Sequence, residues 1–295
     1  WLLRPYHLLE QRLKMPQTFT LIRPDKPEKV INFNTESAPV FKTSKFYLSL
    51  IVPAYNEEIR IETMLVEHIQ YFERKKATEN FKYEVIVVDD GSRDHTISVV
   101  LDIAKKLKFP IKILKCGTNG GKGSAVRLGM LIARGDYLLF ADADNATKIQ
   151  GFGRVQEELL KISKAGLGIA VGSRNDLNKN MQIKRSKLRD FLNWGFTTGV
   201  RILCWTHVRD TQCGFKMFTK NAAQLLFRAQ HLERWAFDVE LIYLAGRNRI
   251  PIVEVPVDWE EMAGSKLNVL KDSILMARDI VLVRILYLLG IWKTT

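Results

Sequence analysis

The sequence predicts an α/β fold in which a mostly parallel, Rossmann-like sheet is covered by helices on both faces. Short segments rich in Val, Ile and Leu alternate with longer segments whose apolar residues recur at helical spacing. Polar or glycine-rich loops follow the strand-like segments, and open parallel sheets bind ligands at such strand ends. The chain has 295 residues with 46% hydrophobic content, which is enough for a large core.

Residues 1–45 precede this regular pattern. They are basic, with Leu and Tyr interleaved, and Pro24, Pro27 and Pro39 interrupt any long element. We expect a connector here, and two interpretations stay open: a solvated arm, or a juxtamembrane segment whose cations face lipid phosphates. Because the chain begins at Trp1 rather than methionine, we also expect it to lie within a longer product.

Residues 46–266 carry the alternating pattern and are predicted to form one domain. Strands are predicted at Phe46–Pro53, Val85–Val88, Ile111–Leu114, Tyr137–Phe140 and within 166–176. Helical spacing predicts that the first helix buries Ile61, Met64, Leu65, His68, Ile69 and Phe72. Further helices are expected after Asp94 and after the glycine-rich loop at 117–125.

Residues 267–295 are predicted to form an amphipathic helical region. Apolar residues are mixed here with Lys271, Arg278 and Arg284, and no uncharged apolar run reaches the roughly 18 to 20 residues that a spanning helix needs. The segment is therefore either a core helix that closes the sheet or a helix that lies in a membrane interface. We expect core packing near Ile274 and lipid contact near Leu288.

The net charge restricts the class of partner. The chain has 45 Lys and Arg against 32 Asp and Glu, which gives a formal charge of +13. Such an excess favours a polyanionic partner: nucleic acid, an anionic membrane surface or a phosphorylated substrate. The cysteines, Cys116, Cys204 and Cys213, have neither zinc-site nor disulfide-framework spacing, so we expect reduced thiols in a cytosol-facing protein.

Acidic residues follow three predicted strands: Glu57 and Glu58, Asp89 and Asp90, and Asp142 and Asp144. Asp142 and Asp144 are one residue apart at the end of a buried strand, where like charges repel unless a cation lies between them. A hard cation such as Mg²⁺ or Mn²⁺ prefers oxygen ligands and keeps positions open for phosphates. The pattern indicates a nucleotide site with a metal, and the alternative is a set of solvated acidic turns.

The loop GTNGGKGSA places backbone N–H groups and Lys122 at a helix start, which suits a phosphate. It lacks the spacing of a P-loop, and no GxGxxG follows the first strand, which argues against NAD. A solvated lysine at the helix start is the alternative interpretation of Lys122.

Five ordered motifs give the chain a family resemblance. IVPAYNEE, VIVVDDGSRDHT, NGGKGSAVRLGM, LFADADNAT and VGSRND together resemble glycosyltransferase family 2 with its GT-A fold. RDTQCGFKMF, ERWAFDVELIYLA and VDWEEMAGSKLNV extend the resemblance over residues 46–292, most closely to members that transfer sugars to dolichyl phosphate. The resemblance implies transfer of glucose from UDP-glucose to dolichyl phosphate with inversion, for N-glycan precursor assembly at the cytosolic face of the endoplasmic reticulum membrane.

The resemblance also implies roles for individual residues. A nucleotide-sugar site would comprise Pro53, Ala54, Tyr55, Glu57, Asp89, Asp90, Lys122 and Asp142. Asp142 and Asp144 match the DxD metal motif for Mg²⁺ or Mn²⁺, but Ala146 stands where related mannose-phosphate synthases have glutamine, so the metal needs another ligand or more water. The sugar and acceptor side would include Asp210, Gln212, Asp238 and Glu240.

In the implied reaction, cations rather than a protein base would do most of the catalytic work. A phosphate monoester is already anionic and nucleophilic near neutral pH, so the acceptor needs no strong protein base. Catalytic roles are predicted for Asp142, Asp144, Arg174 and Lys216. The acceptor phosphate would be held by Arg174, Arg185, Arg189, Lys216, Ser265 and Lys266. The basic loop 179–190 is predicted to be a mobile lid, with a solvated charged loop as the alternative, and Ser265 and Lys266 could instead start the helix after Leu267.

Three other functions remain as alternatives. The first is a dolichyl- or polyprenyl-phosphate mannosyltransferase or a related sugar synthase. The second is a basic nucleic-acid-binding protein, although no RRM, zinc-finger or helix-turn-helix signature is present and we expect no nucleic-acid partner. The third is a catalytically silent membrane-interaction module. A membrane surface is an expected partner, and self-association into a homo-oligomer stays open.

Overall fold

The computed structural model describes residues 17–33, 44–174, 207–262 and 269–294. Four residues predicted to hold the acceptor phosphate therefore lie outside the described residues: Arg185, Arg189, Ser265 and Lys266. The predicted lid at 179–190 lies outside them as well.

The described residues form a central nine-stranded sheet, in the order β2-β1-β5-β4-β3-β6-β8-β7-β9. Its strands are β1 (Gln17–Arg23), β2 (Lys26–Phe33), β3 (Phe46–Ala54), β4 (Tyr83–Asp89), β5 (Lys112–Cys116), β6 (Gly135–Ala141), β7 (Ile169–Ser173), β8 (Phe215–Thr219) and β9 (Ile252–Pro256). The five strands predicted from sequence correspond to β3 to β7. Strands β5, β4, β3 and β6 are parallel neighbours, so their carboxyl ends meet at one edge.

The sheet is more mixed than predicted. Strand β8 runs antiparallel to both β6 and β7, and β1 is antiparallel to both β2 and β5. Residues 17–33 are therefore an edge hairpin and not part of a connector. Pro24 precedes β2 and Pro27 lies within it, and an edge strand tolerates proline because one side of its backbone needs no ladder hydrogen bond.

Seven helices cover the two faces of the sheet in the described part of the chain: α1 (Ile61–Thr78), α2 (Thr96–Lys106), α3 (Lys122–Ile132), α4 (Phe152–Ile162), α5 (Lys220–Ala229), α6 (Phe237–Arg247) and α7 (Val269–Leu288). Buried residues of α1, α2 and α4 form one hydrophobic core, and those of α3, α5, α6 and α7 form the other. Helix α1 buries the six residues predicted from helical spacing. The α/β fold predicted from alternation is confirmed.

Helix α7 has one buried face and one exposed apolar face. Ile280, Val283 and Leu286 pack into the core, whereas Ile274 is 61% exposed and Leu288 is 63% exposed. Core packing was predicted near Ile274; Ile274 itself is exposed, whereas Met276, two residues further along the helix and about 200° around it, is buried in the core. Among the described residues, no helix is both long and apolar enough to cross a bilayer.

Candidate active site

A cleft of about 430 Å³ opens at the carboxyl ends of β3, β4 and β6. The crossover connections between parallel strands bring the three predicted acidic loops to this edge. The predicted site residues that line the cleft are Pro53, Ala54, Tyr55, Glu57, Asp90, Lys122, Asp142, Asp144, Arg174, Gln212 and Asp238. Four further predicted residues are not among its lining: Asp89, Asp210, Lys216 and Glu240.

The loop after β6 places two carboxylates in the cleft. Asp142 forms an ion pair with Lys122, at 2.7 Å from Nζ to Oδ1. Asp144 accepts a hydrogen bond from the backbone N–H of Ala146 at 3.0 Å. Burial, and secondly the negative charge of Asp142, raise the pKa of the Asp144 carboxyl. Lys122 therefore meets the first carboxylate directly, while the second is left with a destabilising like charge.

The donors present fit a hard divalent cation that takes part of its coordination from substrate and water. Asp142 and Asp144 supply carboxylate oxygens, and a cation between them would relieve their repulsion. Within the described residues, no group of three or more His, Cys, Asp and Glu side chains could hold a metal by itself. Ala146 has no donor side chain, so the side chains of the described residues alone form an incomplete shell.

Asp90 holds the glycine-rich loop in place through two hydrogen bonds. Its Oδ1 and Oδ2 accept hydrogen bonds from the backbone N–H groups of Gly120 and Gly121, each at 2.8 Å. Burial raises the pKa of this carboxyl to about 6. Asp90 lines the cleft, and its predicted contact with the nucleotide sugar stays a prediction; these hydrogen bonds also make it a support for the loop that carries Lys122.

Asp89 departs from its prediction as a nucleotide contact. It is fully buried at the end of β4, and its Oδ2 accepts a long hydrogen bond of 3.3 Å from the N–H of Ser92. Its Oδ1 has no hydrogen-bond partner among the described residues. Burial raises the pKa of this carboxyl. Asp89 lies behind the cleft lining, because side chains alternate along β4 and its last residue points into the protein.

Arg174 is held in place by Asp210. The guanidinium donates two hydrogen bonds of 2.7 Å to the carboxylate, and the Arg174 backbone N–H donates a third at 2.9 Å. The guanidinium also lies 5.5 Å from the ring centroid of Trp259. Burial opposes ionisation of Asp210, but the hydrogen bonds and charge of Arg174 keep the pKa of this carboxyl below its usual value. Asp210, which was predicted on the sugar and acceptor side, thus contacts the cleft residue Arg174 and does not itself line the cleft.

Lys216 does not reach the cleft. Its side chain is 2% exposed, and its ammonium donates to Asp238 Oδ1 at 2.7 Å and to the Cys213 carbonyl at 2.6 Å. The predicted contact with an acceptor phosphate is therefore corrected: alternation along β8 sends Lys216 toward α6, where its charge neutralises Asp238. Asp238 does line the cleft, and burial raises the pKa of its carboxyl.

Glu240 is also placed differently from its prediction on the sugar and acceptor side. Two residues after Asp238 on α6, it points away from the cleft because successive helical positions differ by about 100°. Its carboxylate is fully buried and accepts hydrogen bonds from the N–H of Leu232 at 2.6 Å and the Tyr287 hydroxyl at 2.8 Å. Glu240 therefore joins the 230–232 segment to α7.

Several residues that line the cleft were not predicted as site residues, among them Arg60, Gly214, Arg234, Trp235 and Trp259. Arg60 is fixed by a two-bond contact with Glu57, at 2.8 Å for each bond. Gly214, Arg234 and the two tryptophans lie within the motifs quoted above, but a motif does not reveal which way each of its side chains points.

A family model described as Glycosyl transferase family 2 matches residues 49–227. The chain is 50% identical over 250 residues to a dolichyl-phosphate beta-glucosyltransferase from Dictyostelium discoideum, covering 84% of this chain and 76% of the relative. It is 43% identical to the Homo sapiens protein of that name, covering 83% and 77%, and 41% identical to that of Saccharomyces cerevisiae, covering 84% and 77%.

Solved structures agree with the fold. Glucosyl-3-phosphoglycerate synthase from Mycobacterium tuberculosis, in complex with Mn²⁺, UDP-glucose and glycerol 3-phosphate, aligns with a TM-score of 0.56 and 17% identity. The alignment covers 86% of this chain and 82% of that structure. At this identity the likeness concerns the fold.

Proposed function

Because this chain belongs to glycosyl transferase family 2, we propose that it transfers glucose from UDP-glucose to dolichyl phosphate, giving dolichyl β-D-glucosyl phosphate and UDP. The motif-based family resemblance is confirmed. The observation that carries the proposal is the identity of 41 to 50% with relatives named dolichyl-phosphate beta-glucosyltransferase over about four fifths of the chain. The cleft contains the charged groups that this reaction needs.

The nucleotide-sugar side of the proposed site is the edge formed by β3, β4 and β6. Asp142 and Asp144 would hold Mg²⁺ or Mn²⁺, which would stabilise negative charge on the diphosphate. Lys122 lines the cleft in an ion pair with Asp142, so its ammonium would lie beside the diphosphate and would offset the negative charge that develops as UDP departs. Asp90 holds the loop that carries Lys122. The nucleotide side would be completed by Pro53, Ala54, Tyr55 and Glu57.

The acceptor side of the proposed site is built around Arg174. A guanidinium whose orientation is fixed by Asp210 can present its remaining N–H groups to a phosphate without first losing rotational freedom. The phosphate oxygen is the nucleophile and needs no base. Arg185, Arg189, Ser265 and Lys266 stay predicted contributors on this side, whereas Lys216 is reassigned to balancing the charge of Asp238.

The lipid acceptor places the proposed enzyme at a membrane. We assign catalysis to residues 46–266 and membrane contact to 267–295. The exposed row of Ile274, Val281, Ile285 and Leu288 lies at spacings of seven, four and three along α7, which is one helical face. Met276, on the buried side of the same helix, lines the cleft, so α7 carries both the exposed apolar row and one residue of the site. The cytosolic face of the endoplasmic reticulum is the proposed location.

A sugar-donor competition tests the proposal. Purified protein is incubated with dolichyl phosphate, Mg²⁺ or Mn²⁺, and either UDP-glucose or GDP-mannose, and the lipid product is identified by mass spectrometry. We expect glucosyl lipid from UDP-glucose, and loss of product when EDTA is added. Preference for GDP-mannose would favour the mannosyltransferase alternative. Salt-sensitive binding to RNA or DNA without transfer would favour the nucleic-acid-binding alternative.

A further inference from the structure

The segment between α5 and α6, Gln230–Trp235, packs directly on the glycine-rich loop. The backbone N–H of Ser124 donates to the Glu233 carbonyl at 2.9 Å. A Cβ on Gly121 would lie 2.7 Å from this carbonyl oxygen. The next two residues, Arg234 and Trp235, line the cleft beside Lys122. The position of the segment therefore determines where these two side chains stand.

Glu240 holds the segment from the opposite side. Its carboxylate accepts hydrogen bonds from the backbone N–H groups of His231, at 2.9 Å, and Leu232, at 2.6 Å. The Tyr287 hydroxyl, at 2.8 Å, is its third donor. Hydrogen bonds to a buried carboxylate are charge-assisted and directional, so the segment has little freedom to shift.

Tyr287 at the C-terminal end of α7 and Trp292 just after the helix complete this arrangement. The imidazole of His231 stacks on the indole of Trp292, with 4.3 Å between ring centroids and an interplanar angle of 5°. Tyr287 packs edge-on against Trp292 at 5.4 Å. Trp292 is 6% exposed. Glu240, Tyr287 and Trp292 do not line the cleft. Each of them contacts His231, which belongs to the segment that carries Arg234 and Trp235.

We propose that Glu240, Tyr287 and Trp292 form a clasp that positions Arg234 and Trp235 for the nucleotide sugar. This inference rests on the proposed function, because it takes the cleft to bind UDP-glucose. The contacts at the end of α7 then influence the affinity for the sugar donor although they lie outside the cleft. Glu240, Tyr287 and Trp292 are positioning residues. The helix that faces lipid on its exposed side is thereby joined to the donor side of the cleft.

Two matched tyrosine variants test the clasp. Tyr287→Phe removes the hydroxyl that donates to Glu240, and Tyr83→Phe removes the hydroxyl that donates to Glu73 at 2.9 Å on the other face of the sheet. UDP binding is measured by calorimetry with Mn²⁺, together with KM and kcat. We expect Tyr287→Phe to raise the Kd for UDP and the KM for UDP-glucose about tenfold, because a small displacement of positioned groups is costly. Tyr83→Phe should leave both at the wild-type value.

Trp292→Leu and Glu240→Gln provide independent variants if Tyr287→Phe folds poorly. Trp292→Leu removes the stack on His231, and Glu240→Gln keeps only one of the two oxygen acceptors. The Kd for UDP should therefore rise in both variants. It should rise more steeply in Glu240→Ala, which keeps neither acceptor. Unchanged UDP affinity in folded Tyr287→Phe and Trp292→Leu would overturn the clasp alone. Equal weakening by Tyr83→Phe would also overturn it, since the effect would then be general. Wild-type protein that does not bind UDP would overturn the proposed function and the clasp with it.

Discussion

The carboxylate of Asp142 occupies the space that a side chain at Gly214 would need. A Cβ on residue 214 would overlap Asp142 Oδ2 and Cγ. The two backbones are also joined, because the Asp142 N–H donates to the Gly214 carbonyl at 3.0 Å. Residue 214 must therefore be glycine for the Asp142 carboxylate to keep its position in the cleft.

Gly214→Ala should reduce transfer at least tenfold, because the methyl group pushes the Asp142 carboxylate away from its position beside Lys122. The Asp142 side chain can rotate, so thermal unfolding should change little. Gly246→Ala is the matched control, since a Cβ there meets nothing within 4 Å and the position is in helix α6. Wild-type activity in Gly214→Ala would contradict the assignment of Asp142.

Asp144→Asn should lower kcat by roughly a hundredfold or more, because an amide cannot supply the charge that a divalent cation requires. The shape of the side chain is kept, so the melting temperature should stay close to that of the wild type. Activity is measured across a Mn²⁺ titration. Asp136→Asn, which changes an exposed carboxylate near the start of β6, the strand that precedes the Asp144 loop, should behave as wild type. Full activity of Asp144→Asn would remove the proposed metal role.

Arg174→Lys should raise the KM for dolichyl phosphate about tenfold, because lysine cannot reproduce the two-bond contact with Asp210 or keep its orientation. The Kd for UDP should be unchanged. Asp210→Asn should act in the same direction, and the double variant should be less than additive because both act through one contact. Arg154→Lys, at an exposed ion pair with Asp258, is the control. Equal changes in donor and acceptor constants would argue against an acceptor role.

His68 should make the protein less stable in mild acid. The imidazole is fully buried, its Nδ1 lies 2.8 Å from the Met64 carbonyl, and burial lowers its pKa from 6.5 to about 4. Between these two values the unfolded chain binds a proton that the folded protein does not, so the free energy of unfolding falls as pH decreases. The contribution lost between pH 7.5 and pH 5 is about 2 kcal/mol.

Denaturant unfolding of the wild type and His68→Leu at pH 7.5 and pH 5 isolates this contribution. The acid-induced loss of stability should be smaller in His68→Leu by the amount above, since other titrating groups are common to both proteins. Parallel pH profiles would show that His68 does not titrate as described.

The exposed row on α7 should be needed for binding to lipid. Ile285→Asp combined with Leu288→Asp should reduce sedimentation with anionic vesicles more than tenfold, since burial of each side chain contributes about 1.5 to 3 kcal/mol. UDP binding should persist because neither residue lines the cleft. Val30→Asp is the control, an exposed apolar residue, 66% exposed, on the edge strand β2. Vesicle binding that is unaffected by the double variant would place the membrane contact elsewhere.

Local sequence patterns predicted much of the fold of this protein. The alternation of apolar segments predicted β3 to β7, and helical spacing predicted the buried face of α1. The acidic loops were recognised as a site because parallel strands deliver their carboxyl ends to one edge. These features depend on residues close together in sequence, where periodicity and strand direction suffice.

Tertiary structure alone decided which polar side chains face the cleft. Lys216 and Glu240 belong to motifs of the site, yet each is buried against a partner distant in the chain: Asp238 for Lys216, and Tyr287 for Glu240. The edge position of the 17–33 hairpin, the antiparallel course of β8 and the exposure of Ile274 also depend on long-range packing. Burial of a charge requires a specific partner, and the sequence lists the candidates without saying which of them the fold brings within hydrogen-bond distance.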